Sequence, residues 1–337
     1  MPSLDDLLAT RPSMTLDELT DATNALLPGL LPDDPVDARV TEAVNPRLIR
    51  HYASEGVLDA ASREGRKAVY FVDHLLQLLA LRRLLADGVP AGRLRIAEPD
   101  TERRTALQRD FDVTVHADNS TTAAGADVVV LAVKPQVLQT VARDLASELA
   151  GSKALAVSIA AGVRSADLAR WLGGAVPVIR AMPNTPALLG CGAAVLYAGP
   201  GATAHHRELA ESILRAVGSV SWITDEMQMD TVTALSGSGP AYFFLLIEAM
   251  ADAAASAGLD GELARLLAVE TALGAARMAI ESGEDIAVLR RRVTSPGGTT
   301  EAAIGTLEQR GFRELVDAAL AQAAARSREL AEQLGDD

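Results

Sequence analysis

The chain has 337 residues, 49% of them apolar, which is enough to bury a sizeable core in about two or three domains. Its formal net charge of -14 excludes a surface given over as a whole to nucleic acid, although one small domain can still be locally basic. One cysteine, Cys191, excludes an internal disulfide; the N-terminus has no secretory pattern and no apolar run reaches membrane-spanning length, so a cytoplasmic protein is expected.

Residues 1–39 form an acidic lead-in punctuated by Pro28, Pro32 and Pro35, with one short helix over Leu16 to Leu27 capped by Thr15. Residues 40–83 change character. Asn45 is placed to cap a helix with Pro46 in its first turn, so that Leu48, Ile49 and Tyr52 share one face and Arg47, Arg50 and His51 lie largely on the other. A charged turn, Arg63 to Lys67, then leads into the β-prone Ala68 to Phe71 and an apolar helix from His74 to Leu85. The segment resembles the winged helix-turn-helix of MerR-family regulators, with "PRLIRHY" as recognition helix and "REGRKAVYF" as wing. That resemblance implies Arg47, Arg50 and Tyr52 near a major groove, Arg63, Arg66 and Lys67 on phosphates, and DNA as a possible partner.

From residue 84 to 224 short apolar strands alternate with helices: Arg93 to Ala97, the neighbourhood of Val113 to Val115, Ala126 to Val133, Ala154 to Ile159 and Val176 to Ala181. Alternation of this kind predicts a doubly wound α/β sheet with ligands at the carboxyl ends of its strands. Ala126 to Val133, continuously apolar after Asp127, is expected to be buried on both faces. Glu98 closes the first of these strands, where an acid suits a free ribose 2'-hydroxyl, and Arg103 or Arg104 could instead hold a 2'-phosphate. Residues 225–337 read as helices: Thr231 to Leu235 leading into Pro240 to Gly258, then Leu263 to Ser282, Asp285 to Val293, Glu301 to Gly311 and Phe312 to Leu334.

Between the last helices lies Val293 to Glu301, where Pro296 ends what precedes it, Gly297 and Gly298 permit close approach, and Thr299 is placed to cap a helix beginning at about Glu301. The N–H groups of Gly298, Thr299 and Thr300 would then converge on a small anion, although a plain Pro-Gly turn reads the same. No histidine lies in this stretch; His205 and His206 suit a solvated helix start better than a metal site, and no metal is expected.

Taken together, "DVVVLAVKPQ", "SIAAGV", "RAMPNTPALLG", "TALSGSGPAYFF" and "VTSPGGTTEAAI", in that order, resemble pyrroline-5-carboxylate reductase from about Leu84 to Leu334. The resemblance implies an N-terminal dinucleotide domain, an all-α C-terminal dimerisation domain, a homodimer or larger assembly, and reduction of Δ1-pyrroline-5-carboxylate to L-proline with NADPH or NADH. It further implies Asn119 at the adenosine side of the cofactor, Ala132, Val133, Lys134 and Pro135 along the pyrophosphate-to-nicotinamide path, and Pro183, Asn184 and Thr185 beside the nicotinamide. Ser236, Gly237, Ser238, Gly239 and Pro240 would form the floor under the pyrroline ring, with the Ser238 hydroxyl or a water serving the ring nitrogen. Gly297, Gly298, Thr299 and Thr300 would hold the substrate carboxylate.

Reductases of this family open with a strand and a Gly-x-Gly-x-x-Ala-type turn, and residues 1–83 contain no Gly-x-Gly. The expected architecture is therefore a Rossmann-like domain lacking its first βα unit, preceded by the winged helix-turn-helix and followed by the helical domain. Loss of a central strand removes ladder hydrogen bonds on both sides and weakens cofactor binding. The alternatives are a DNA-binding regulator that uses the reductase-like part as sensor or dimeriser, and an inactive fusion.

Overall fold

The computed structural model describes residues 94–111 and 113–335. The acidic lead-in and the winged-helix segment, with Arg47, Arg50, Tyr52, Arg63, Arg66 and Lys67, lie outside the described residues. The chain divides into two compact units between Thr224 and Asp225.

In the first unit β1 (Arg95–Ala97), α1 (Thr101–Phe111), β2 (Thr114–His116), α2 (Asn119–Ala123), β3 (Val128–Leu131) and α3 (Pro135–Leu149) follow in order. Then come β4 (Leu155–Ser158), α4 (Ser165–Trp171), β5 (Val178–Met182), a 3-10 turn (Thr185–Leu189), β6 (Gly192–Ala198), α5 (Ala204–Arg215) and β7 (Gly218–Ile223). Helix α3 is helical because Pro135 fits its first turn and Leu138, Ala142, Leu145 and Leu149 recur at four- and three-residue steps, all buried. The core lies on β4, β5 and β6, where Leu155, Val157, Ile179 and Leu196 pack with Ala210 and Leu214 of α5. Each large side chain buried there contributes about 1.5–3 kcal/mol.

The strands fall into two sheets. β1 and β2 pair in parallel by themselves, and β3-β4-β5-β6-β7 form a second sheet in which only the β5–β6 pair is antiparallel. Each has its own apolar cluster; the smaller surrounds Val113 with Leu94, Ile96, Phe111 and Val115. In the doubly wound order the first strand lies between the second and the fourth. The break between β1 and β3 falls at that position, and among the described residues no ladder joins the two sheets. Burial of β3 on both faces is not observed: Val130 is 45% exposed, because no described element covers it.

The His205–His206 pair sits at a solvated helix start. Thr203 Oγ1 accepts the His206 N–H and His206 Nδ1 accepts the Thr203 N–H, a reciprocal cap that opens α5. One turn on, Glu211 accepts the Trp222 indole N–H at 2.7 Å and pairs with Arg215, while Arg207 lies 4.2 Å over the Trp222 ring. The Trp222 hydrogen bond first, and Arg215 second, hold the Glu211 carboxyl below its ordinary value of 4.5. A lowered folded-state value means that the stabilisation is present above about pH 4.5 and is lost as pH falls through the folded value. Glu211→Gln is expected to flatten the acid limb of the unfolding-midpoint-against-pH curve and leave the neutral region nearly unchanged, as thermal melts across pH 3–8 would show.

The second unit is helical: α6 (Gln228–Val232), a π-helical turn (Thr233–Gly237), α7 (Gly239–Ser256), α8 (Gly261–Glu281), α9 (Ile286–Arg292), α10 (Thr299–Gln309) and α11 (Phe312–Gly335). Asp260 caps α8 by accepting the Glu262 and Leu263 N–H groups, and Asp285 caps α9 through Ala287. Helices α7 and α8 pack as a hairpin but leave Phe243, Phe244, Leu245, Leu266 and Leu273 exposed. The sequence pattern promised no apolar run of membrane-spanning length, yet α6, the π turn and α7 join into one helical run, Gln228–Ser256, that is long and apolar enough to span by length and composition alone. The Ser-Gly-Ser-Gly-Pro stretch, which looks like a break, continues the helix through the π turn.

Candidate functional site

At the end of β1 the Glu98 side chain is buried, and its Oε1 accepts the Asp100 N–H at 2.9 Å. Arg104 is committed to the same turn, donating to the Glu98 and Pro99 carbonyls at 2.8 and 2.7 Å and to Thr101. Arg103, the other arginine considered for a 2'-phosphate, is half-buried on α1. Asn119 opens α2, whose cap is Asp118, and Asp118 accepts the Thr121 N–H at 2.7 Å. That backbone bond is the main reason the Asp118 carboxyl titrates below its usual range.

Strand β3 ends at Leu131. Ala132 is buried, Val133 and Pro135 are half-buried and Lys134 is exposed. Lys134 is the N-cap of α3 without a side-chain cap; Pro135 has no N–H to offer and the Val137 N–H is donated to the Lys134 carbonyl at 3.0 Å, which leaves the Gln136 N–H without a side-chain cap. On the neighbouring side of the sheet β5 ends at Met182, and Pro183, Asn184 and Thr185 follow, all half-buried. Asn184 Oδ1 accepts the Ala193 N–H at 2.9 Å, tying this turn to the start of β6. The turns after β3 and β5 thus both stand at carboxyl ends of parallel strands, with β4 between them.

In the second unit the turn before α10 is built differently from the sequence expectation. The helix begins at Thr299, two residues before Glu301, and its N-cap is Gly298 at φ -87°, ψ 171°, not Thr299. Glycine in extended conformation serves as N-cap itself. The Gly298 N–H, counted above among the anion donors, is donated to the Ser295 carbonyl at 3.0 Å. Gly297, at φ +72°, makes the left-handed step that only glycine takes freely, and its N–H goes to the Glu301 carboxylate at 2.7 Å. No side chain caps α10, so the first-turn N–H groups of Thr299 and Thr300 have no side-chain acceptor at the helix end.

Ser236 to Pro240 crosses the π turn. Ser238 donates its N–H to the Thr233 carbonyl at 2.9 Å, an i to i+5 bond, and stands as N-cap of α7 without a side-chain cap bond. Gly239 is buried and Pro240 occupies the first turn of α7, while Ser236, Gly237 and Ser238 are half-buried. Among the described residues no group of three His, Cys, Asp or Glu side chains could hold a metal.

Three family models match: one described as pyrroline-5-carboxylate reductase dimerisation over residues 226–330, one as NADP oxidoreductase, coenzyme F420-dependent, over 79–162, and one as MerR HTH family regulatory protein over 41–98. The pyrroline-5-carboxylate reductase of Pseudomonas aeruginosa is 52% identical over 252 residues, 75% of this chain and 92% of the relative. The chain belongs to the pyrroline-5-carboxylate reductase family. Among solved structures, a pyrroline-5-carboxylate reductase from Coxiella burnetii matches with a TM-score of 0.73 at 42% identity, covering 77% of this chain and 96% of that one. The Plasmodium falciparum pyrroline carboxylate reductase, solved with NADP bound, matches with a TM-score of 0.67 at 28% identity over 76% of this chain and 94% of that one.

Members of this family reduce Δ1-pyrroline-5-carboxylate to L-proline with NAD(P)H, and the chain is an oxidoreductase of this kind. The match to the dimerisation model spans α7 and α8, whose apolar side chains are exposed in the single chain, and supports a homo-oligomer.

Proposed function

We propose that the chain is a cytoplasmic, proline-forming reductase in which the first unit holds NADPH or NADH and the second holds the imine. What supports the substrate side is the uncapped N-terminus of α10 behind the left-handed Gly297 turn. Thr299 and Thr300 donate their N–H groups to the substrate carboxylate, and the partial positive charge of the helix end adds to the hold. Ser236 to Pro240 shapes the floor beneath the ring, with the Ser238 hydroxyl placed for the ring nitrogen.

The first unit fits the cofactor at both ends. Glu98, Arg103 and Asn119 suit the adenosine side; Pro183, Asn184 and Thr185 suit the nicotinamide; Ala132 to Pro135, with the uncapped Gln136 N–H at the start of α3, suits the anionic path between them. Bound NAD(P)H supplies the hydride. The protein's own part is positioning: a protonated imine is already electrophilic, so fixing the carboxylate and the ring plane contributes more than acid-base groups would.

The domain organisation we assign is an acidic lead-in at 1–39, a winged helix-turn-helix at 40–83 in place of the family's first strand and glycine turn, a dinucleotide-binding domain at 84–224 and a helical domain at 225–337. The match of 41–98 to MerR regulators and, among the described residues, the break between β1 and β3 support it. The DNA-binding alternative has that one match in its favour, and the side chains it needs lie outside the described residues.

The test is titration of the purified protein with NADPH and NADH by nicotinamide fluorescence. Because the glycine turn is missing, the dissociation constant is expected in the upper part of the usual range of about 1 μM to 1 mM. Absence of binding at about 1 mM of either cofactor would sink the reductase reading.

A further inference from the structure

The π turn that leads into Ser238 is held from behind by the C-terminal helix. Ser327 of α11 donates its hydroxyl to Asp230 Oδ1 of α6 at 2.7 Å across 97 residues of sequence. Both side chains are buried, at 5% and 6% exposure. Ala324 and Ala331 flank Ser327 one turn either way and are equally buried, so α11 presents a strip of small side chains there. Met229 and Ala234, each 1% exposed, lie on the α6 and π-turn side, and both segments pack on α11.

A smooth strip of alanines sets how closely α11 packs on its neighbours but does not by itself fix where along the strip α6 stops. A single buried polar pair does that, because sliding or turning α6 would strand a carboxylate away from water and from its donor. Asp230 stands three residues before Thr233, whose hydroxyl donates to the Met229 carbonyl at 2.8 Å and whose carbonyl receives the Ser238 N–H at 2.9 Å. The position of Asp230 is therefore passed through the π turn to Ser238.

We infer that Asp230 and Ser327 are positioning residues for imine binding, which set the register of the π turn and hence the place of Ser236 to Pro240. The inference rests on the reading of that segment as the substrate floor. Ser327→Ala and Asp230→Ala, made in the full-length oligomer, raise KM for Δ1-pyrroline-5-carboxylate and the dissociation constant of L-proline by about tenfold, while NADPH affinity stays within about twofold of the parent. Asp230→Asn keeps an acceptor oxygen for Ser327 and restores both constants to within about threefold.

L-Proline titration needs no hydride transfer and so reads the site even where turnover is slow. Unchanged constants in Ser327→Ala overturn the inference, as does a common loss of NADPH affinity, proline affinity and unfolding midpoint, which marks a merely structural bond. Ser238→Ala separates the two levels. If it leaves both constants unchanged the reading of the floor fails; if it raises them while Ser327→Ala is silent, the inference fails alone.

Discussion

Thr299→Pro is expected to raise KM for Δ1-pyrroline-5-carboxylate by about ten- to a hundredfold, the cost of one charge-assisted hydrogen bond to a carboxylate, and to leave the unfolding midpoint almost in place. Thr299 is the first residue of α10, the position where a helix accepts proline because the missing N–H has no partner inside the helix. Gly298 before it is already extended at ψ 171°, as a residue preceding proline must be. The substitution therefore deletes one donor from the anion-facing end and little else. Steady-state kinetics beside a thermal melt decide it: equal KM in parent and variant would send the carboxylate elsewhere.

Phe244→Glu is expected to shift the oligomer toward monomer by at least about a hundredfold in dissociation constant and to abolish most activity at micromolar protein. Phe244 is 66% exposed in the single chain, between Phe243 and Leu245, which are equally exposed. Burying a phenylalanine contributes about 1.5–3 kcal/mol, a twofold interface counts it twice, and a carboxylate in its place is an unpaired charge in an apolar seam. Light scattering after gel filtration reads the mass directly. An unchanged mass would mean that α7 is not part of the interface.

The helices of the second unit were the most legible part of the chain, because apolar periodicity ran between stops such as Gly258 and Gly311; the Asp260 cap, which starts α8 at Gly261 rather than Leu263, was not read. What depended on partners far along the chain was not legible. β6 and β7 pair with Gly192 opposite Gly218, where a methyl on Gly192 would meet Ala187 at 2.7 Å; that close approach exists only once the sheet is assembled, and nothing local announces it. The Asp230–Ser327 bond spans 97 residues and leaves no local trace, and the π turn has no composition of its own.

The turn before α10 was marked by its glycines and proline, but its cap was misassigned because threonine is the commoner cap and glycine in extended backbone does the same work. The absence of a Gly-x-Gly in residues 1–83 was legible directly, because it is a statement about residues and needs no geometry; the strand it would accompany falls outside the described residues.

The central claim is that this chain forms proline although it lacks the glycine turn. Incubation of the purified full-length protein with NADPH and Δ1-pyrroline-5-carboxylate, followed at 340 nm with L-proline quantified in the same sample, tests it most directly. The account predicts one L-proline formed per NADPH oxidised, with saturation in both. NADPH left unoxidised at saturating concentrations of both, by a protein that melts cooperatively, would contradict it.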